Sequence, residues 1–339
     1  MDDLAKITGF SKMTISRVFA GSANVRETTR AKVLAAAAKL GYEYNALAGN
    51  FASGRSGLIG VAVDVTALMG SAYFSSLFKG AHDVLANAGY RSVIFDVASE
   101  KFSDGERLAQ LVARRRVEGL LAVVPPQNRE EFLMSFSREH TSLVVVGGRC
   151  EEKEMLWLDF DNHHAVELLL RHLKNLGHRK VGWISGSPGV TDAIERSAAF
   201  HALRKSLKLQ WRPDWEQCGD FSWGGGRRAM TQIMAGKNRP TAVVAANDFS
   251  ALGACDVVRS MTLLPGRQIS VAGIDGTVFA QDAEPALTTV SQPLEEMGRL
   301  AATILLERLR GERSETTSNG RLLQGSLLAR ASTGPAWKG

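Results

Sequence analysis

Five side chains able to meet a nucleic-acid surface lie on one side of the stretch Ser11-Lys12-Met13-Thr14-Ile15-Ser16-Arg17-Val18-Phe19. Lys12 can donate to guanine O6 or N7, and Met13 can offer apolar contact to a thymine methyl. Thr14, Ser16 and Arg17 can hydrogen-bond phosphate oxygens or base edges. A second set of side chains has the chemistry of a small-molecule pocket: Tyr73, Phe74, Arg196, Phe221, Trp223, Asn247 and Asp275. Carboxylates and amides that fork onto hydroxyls, with aromatic faces that stack on a ring, describe a carbohydrate-type site.

The first set must be carried by a helix. Ile15, Val18 and Phe19 fall at i, i+3 and i+4 and face inward. Ser11 is a good N-cap for that helix, and Gly9 ends a short one over 2–8 that places Leu4 and Ile7 on one face. A third helix over about 27–40 puts Val33, Ala37 and Leu40 on one side and stops before Gly41. Two short helices joined by a tight glycine-containing turn form a helix-turn-helix, whose second helix contacts base edges from its first turns. Pattern alone leaves an ordinary solvated helix face as the alternative. Residues 1–57 hold eight Lys/Arg against four Asp/Glu, whereas the whole chain carries only +6. A basic head on a near-neutral body suits a polyanionic partner.

The second set must be carried by an α/β body. From residue 58 the apolar runs 58–65, 92–97, 119–124 and 142–148 alternate with helical stretches such as 75–88 and 104–116. A second series follows at 180–186, 241–248 and 269–275, with helices near 163–176, 192–207 and 249–260. Two doubly wound parallel-sheet subdomains are expected, with a ligand cleft outside the strand carboxyl ends. The chain is expected to cross between them near 159–162, near 289–293 and near 320, before a last strand, LLQGSLLARAST. Asp248 reads as the N-cap of the 249–260 helix. The glycine-rich 186–189 and 224–228 lack a Walker spacing and read as turns.

Composition excludes several classes. Of 339 residues, 45% are hydrophobic and 22% charged, an ordinary globular balance. No apolar run approaches the roughly 20 residues of a membrane helix, and MDDLAKITGF has no secretory h-region, so a cytoplasmic protein is expected. Cys150, Cys218 and Cys255 are too scattered for a disulfide framework or a zinc site. No nucleophile–base pair is assignable, so no catalytic residue, metal or cofactor is expected. A solute-binding receptor without a DNA role and a sugar-modifying enzyme are the competing classes.

The segment DLAKITGFSKMTISRVFAG…VRETTRAKVLAAAAKLGYEYN resembles the N-terminal domain of the LacI/GalR family of bacterial transcriptional regulators, through Ser11, Thr14, Ile15, Ser16, Arg17, Val18, Thr29, Arg30, Val33 and Leu40-Gly41-Tyr42. The body resembles the same family's periplasmic-binding-protein-like domain in HLKNLGHRKVGWISG, RPTAVVAANDFSALGA, ISVAGIDG and PALTTVSQPLEEMGRLAATIL. The resemblance implies that Lys12 and Met13 read bases, and that Thr14, Ser16, Arg17, Asn24, Thr29 and Arg30 contact DNA or its backbone. It implies a hinge helix capped by Asn45 that pairs in a homodimer and wedges Phe51 into the minor groove. This chain departs from the family in Phe51 for Leu, Gly49 for Arg, Tyr44 for Pro, and Arg26 for a Ser-like cap. It further implies that Arg196, Asn247 and Asp275 bind effector and that Tyr73, Phe74 and Phe221 contact or stack on it; Arg149 and Asp161, near a crossing between the halves, are further candidates. A pseudo-palindromic operator, a sugar or sugar-acid effector and a homodimer, with a tetramer also open, are the partners implied. The domains are then a 1–44 head, a 45–57 hinge and a 58–339 body, divided into an N-subdomain (58–160, 292–320) and a C-subdomain (161–291, 321–339).

Overall fold

The computed structural model describes residues 1–19, 24–42, 56–65, 72–99, 105–114, 116–123, 129–138, 142–150, 155–312 and 320–337. Residues 45–55 of the expected hinge, including Asn45 and Phe51, lie outside the described residues.

The head is three helices, α1 (Asp2–Thr8), α2 (Lys12–Phe19) and α3 (Glu27–Leu40), around Leu4, Ile15, Val18, Val33, Ala36 and Ala37. Gly9 ends α1 in the left-handed region at φ 73°, and the Ser11 hydroxyl accepts from the Thr14 amide at 3.1 Å to start α2. Arg26 precedes α3 without a side-chain cap. Two residues expected inside are outside: Ile7 is 61% exposed and Leu40 43%. The cause is size. A 14-residue helix is about 21 Å long, roughly twice its two partners, so its end overhangs the core. Ile7 falls at the margin of a stripe that Leu4 alone fills.

The body holds two six-stranded sheets of the same winding. In the first, the order is β11 (Gly320–Leu323), β5 (Leu156–Phe160), β4 (Leu143–Val146), β3 (Gly119–Val123), β1 (Leu58–Val63), β2 (Arg91–Asp96). In the second it is β12 (Ser326–Leu328), β10 (Thr288–Ser291), β9 (Ser270–Asp275), β8 (Ala242–Ala245), β6 (Val181–Ser185), β7 (Glu216–Cys218). Neighbouring strands are parallel except β10 and β12. The described helices are α4 (Ala72–Asn87), α5 (Glu106–Ala113), α6 (Arg129–Arg138), α7 (Asn162–Asn175), α8 (Thr191–Ser206), α9 (Trp223–Ala235), α10 (Asp248–Ser260), α11 (Val278–Asp282) and α12 (Leu294–Leu309).

The strands anticipated from apolar runs are present. Five others are not simple apolar runs: β5 contains Asp159, β10 reads TTVS, and β7, β11 and β12 have three or four residues. The expected final strand is two strands in different sheets, so the third crossing lies at Gln324-Gly325 rather than near 320. Gly325 allows it: a Cβ there would stand 2.1 Å from the Ser291 carbonyl oxygen. The other crossings follow β5 and β10, so all three leave strand carboxyl ends. Close backbone approach fixes the packing of α4 on α12, where a Cβ on Gly80 or Gly298 would stand 1.9 Å from the carbonyl oxygen of Glu295 or Leu77. In the second half Trp183 stacks on Phe200 with ring centroids 5.0 Å apart.

Candidate functional site

Two features stand out chemically. The first is the outer face of α2. Ile15 and Val18 are buried, which turns Lys12, Met13 and Arg17 outward; Met13 is 64% exposed. Thr14 and Ser16 are half-buried beside them, and Ser11 and Asn24 are exposed. Lys12 forms an ion pair with Asp2 of α1, which holds the Asp2 carboxyl below its usual range. Arg30 of α3 donates to the Val18 carbonyl at 3.3 Å, tying α3 to the end of α2, and Thr29 is half-buried next to it.

The second is a polar network where the carboxyl ends of both sheets meet. Arg196, 2% exposed on α8, donates through Nε to Asn162 Oδ1 (2.7 Å) and through Nη1 to the Ala246 carbonyl (2.6 Å). It lies 3.7 Å from Asp192 and 4.0 Å from Asp275, with its guanidinium 5.9 Å from the Phe160 ring centre. Asn162 is fully buried; its amide donates to Asp192 (2.9 Å) and Glu195 (2.8 Å). Arg149, after β4, reaches Asp159 and Glu195 at 3.7 Å each and so links the two halves. Gln292, at the second crossing, donates to Asp275 Oδ1 at 2.8 Å. Tyr73 brings its hydroxyl against Gly147; burial first, then the charges of Asp192 and Asp159, hold its proton on.

Other expected site residues are placed differently. Phe74 is buried in the core and stacks on Phe78. Asp161 caps α7 through the His164 amide at 2.9 Å. Trp223 is 39% exposed, donates to Asp256 of α10 at 2.7 Å and sets its ring 6.5 Å from that of Phe249, so its indole N–H is used outside the polar network. The cap of α10 is Asn247, not Asp248. Its Oδ1 accepts from the Ser250 amide (3.0 Å), while its Nδ2 donates to the Phe221 carbonyl (2.9 Å). Asp248 instead accepts from Thr277 and Thr289, bracing α10 against α11 and β10. Residues 224–228 are the first turns of α9 rather than a turn. Asp220 and Phe221 are successive left-handed residues (φ 49° and 61°), a costly backbone. That kink lays the Phe221 ring over Gly186, where a Cβ would stand 2.1 Å from it.

Burial pushes Asp159 up to about 7, helped by the charge of Asp192. A carboxyl whose folded pKa lies above its unfolded value binds more protons when folded. Its contribution is favourable below about 4 and declines as pH rises to about 7. Asp159→Asn is therefore expected to stabilise the protein at pH 8 and to change little at low pH. Urea denaturation of both proteins at the two pH values checks this.

Residues 1–45 match the model for bacterial regulatory proteins of the lacI family, and residues 170–333 match a periplasmic binding protein-like domain. The transcriptional repressor PurR of Serratia proteamaculans is 30% identical over 315 residues, 93% of this chain and 91% of that protein. The chain belongs to the lacI family. The regulator CelR of Thermobifida fusca is 27% identical over 93% of both chains. Among solved structures, the lac repressor dimer bound to operator and the anti-inducer ONPF superposes with TM-score 0.84 at 28% identity, covering 98% of each chain. A CelR–cellobiose complex gives 0.72 at 26%, covering 97% of this chain and 98% of that one. As a lacI-family member the chain is a DNA-binding transcriptional regulator. Among the described residues no helix is long and apolar enough to cross a membrane, and no group of His, Cys, Asp or Glu could hold a metal ion.

Five members of the network were not anticipated from sequence: Asp159, Asn162, Asp192, Glu195 and Gln292. Two had a signal. Asp192, Glu195 and Arg196 fall at i, i+3 and i+4, on one helix face. Asp159 is the one charge in the apolar run LWLDF.

Proposed function

We propose that this lacI-family chain acts as a homodimeric repressor. The outer face of α2 reads operator DNA, and a small hydroxylated metabolite of the sugar class, bound in the cleft, sets its affinity. Lys12 and Met13 contact base edges, with Lys12 exchanging Asp2 for an acceptor on the DNA. Ser11, Thr14, Ser16, Arg17, Asn24, Thr29 and Arg30 meet the backbone, and the hinge with Asn45 and Phe51 enters the minor groove. In the cleft, Arg196, Asp275, Arg149 and Tyr73 meet the effector's polar groups and Phe221 its ring face. Asn247 acts indirectly, through the Phe221 carbonyl.

The observation that carries this reading is the network from Arg149 on one half to Arg196 on the other. A ligand that rearranges those interactions changes the relative position of the halves, and coupling of this kind is commonly worth about 1–3 kcal/mol. The CelR–cellobiose complex supports a sugar, and the operator-bound lac repressor dimer supports a dimer on operator DNA. A thermal-shift screen of sugars, followed by operator anisotropy with each hit, tests it. The expected result is a compound that raises Tm and changes operator affinity about 5–150-fold. Hits that leave operator affinity unchanged would defeat the coupling.

A further inference from the structure

We propose that the effector carries a protonated amine, seated against Asp159 beside the carboxylates of Asp192 and Glu195, rather than a carboxylate or phosphate. The inference rests on the reading of the cleft as the effector site, and it narrows the sugar or sugar-acid expectation to an amine-bearing compound.

Among the described residues the network sets four carboxylates, Asp159, Asp192, Glu195 and Asp275, about two guanidiniums, Arg149 and Arg196. Arg196 is already committed to Asn162, the Ala246 carbonyl, Asp192 and Asp275. Asp275 also has Gln292. Arg149 is half-exposed and comes no nearer than 3.7 Å to either carboxylate. The Asn162 amide holds Asp192 and Glu195 together, so their charges reinforce each other.

Asp159 is the decisive member. It is 1% exposed; Oδ1 accepts from the Phe160 amide at 2.9 Å, whereas Oδ2, the oxygen that Arg149 approaches, has no hydrogen-bond donor among the described residues. A buried carboxylate oxygen without a donor is costly. The sheet does not require it, because the rest of β5 is Leu156, Trp157, Leu158 and Phe160. An ammonium group supplies both the missing donors and the missing charge. An anionic ligand would bring a like charge against Asp192 and Glu195, which one amide holds side by side.

The test is a thermal-shift and calorimetric titration of the full chain at pH 8, where Asp159 is ionised, with compounds matched in all but charge. These are glucosamine, glucose and glucuronate; galactosamine, galactose and galacturonate; ethanolamine, ethylene glycol and glycolate. The expected result is an amine that binds about tenfold more tightly than its neutral counterpart, a difference of about 1.4 kcal/mol. The acids should bind most weakly, and Asp159→Asn should erase the amine's advantage. The proposal is overturned if no amine exceeds its neutral counterpart, or if a folded Asp159→Asn protein keeps the preference. Should that variant not fold, the wild-type ranking decides alone. A neutral or acidic compound that binds best overturns the amine and leaves the cleft as the effector site. No binding by any class, with operator affinity blind to all of them, overturns both readings.

Discussion

Arg196→Ala is expected to lower the stability of the body by about 3–5 kcal/mol and to abolish the operator's response to effector. The magnitude is that of breaking a buried ion pair from one side, which leaves the partners uncompensated. Here those partners are specific. Asn162 Oδ1 and the Ala246 carbonyl are each deprived of a donor, and Asp192 and Asp275 of the guanidinium that faces both. Asp275 already has its proton held on by burial and by the charge of Asp248. Removal of Arg196 pushes it further toward the neutral form, so the damage should be greater at pH 8 than at pH 5. Arg196→Lys keeps a charge but cannot reproduce the two-directional fork, and should recover only part of the stability. Urea denaturation at both pH values measures the stability, and anisotropy with a screened effector measures the response. An Arg196→Ala protein as stable as wild type would show that the network is not carried by this residue.

Lys12→Ala should weaken binding to the operator far more than binding to random duplex. A side chain that bonds well to a base edge is worth about 1–3 kcal/mol of discrimination, and a homodimer makes that bond in both half-sites. The expected fall in operator affinity is therefore about 30-fold at the lower end and more than a thousandfold at the upper end. Random duplex gains its affinity from phosphate charge, to which Lys12 contributes only one cation per head. Asp2 sharpens the comparison, because its ion pair with Lys12 competes with DNA for the ammonium group. Asp2→Asn should raise operator affinity only modestly, since exposed, solvent-screened pairs contribute little. Competition titrations with operator and random fragments separate the two effects. An equal fall on both duplexes would reassign Lys12 to the phosphate backbone.

The head was legible in the sequence because its punctuation is local: Gly9 and Ser11 mark the ends of helices, and Ile15 and Val18 mark the inner face. What failed there, Ile7 and Leu40, failed because three short helices cannot cover every apolar side chain on their inner faces. In the body, long apolar runs such as LIGVAV announced fully buried parallel strands. The polar TTVS of β10 and the two short strands on either side of Gly325 are set by pairing partners far away in the chain, which local pattern does not encode. The site divided in the same way. Residues at strand ends, such as Asp275, could be placed from topology, and the structure brings Arg196, Asp275, Arg149 and Tyr73 into one network. Trp223 and Asp161 also stand at element ends, but each is committed to a neighbouring helix. Asn162, Asp192 and Glu195 matter only because one buried amide joins them across 30 and 33 residues of chain, a link invisible in the sequence. The distinction between Asn247 and Asp248 as the cap rested on a single residue of register, which is finer than pattern resolves.

The central claim is that the outer face of α2 meets the phosphates and bases of duplex DNA. The most direct measurement is the anisotropy of a labelled fragment from upstream of the neighbouring genes, titrated with wild type and with Arg17→Ala between about 50 and 200 mM salt. The account predicts preference for that fragment over random duplex and a steep fall of affinity with salt. For Arg17→Ala it predicts a log–log slope shallower by about 1.8, because each of the two heads then neutralises one phosphate fewer. Affinity that is flat with salt, or a slope that Arg17→Ala leaves unchanged, would contradict it.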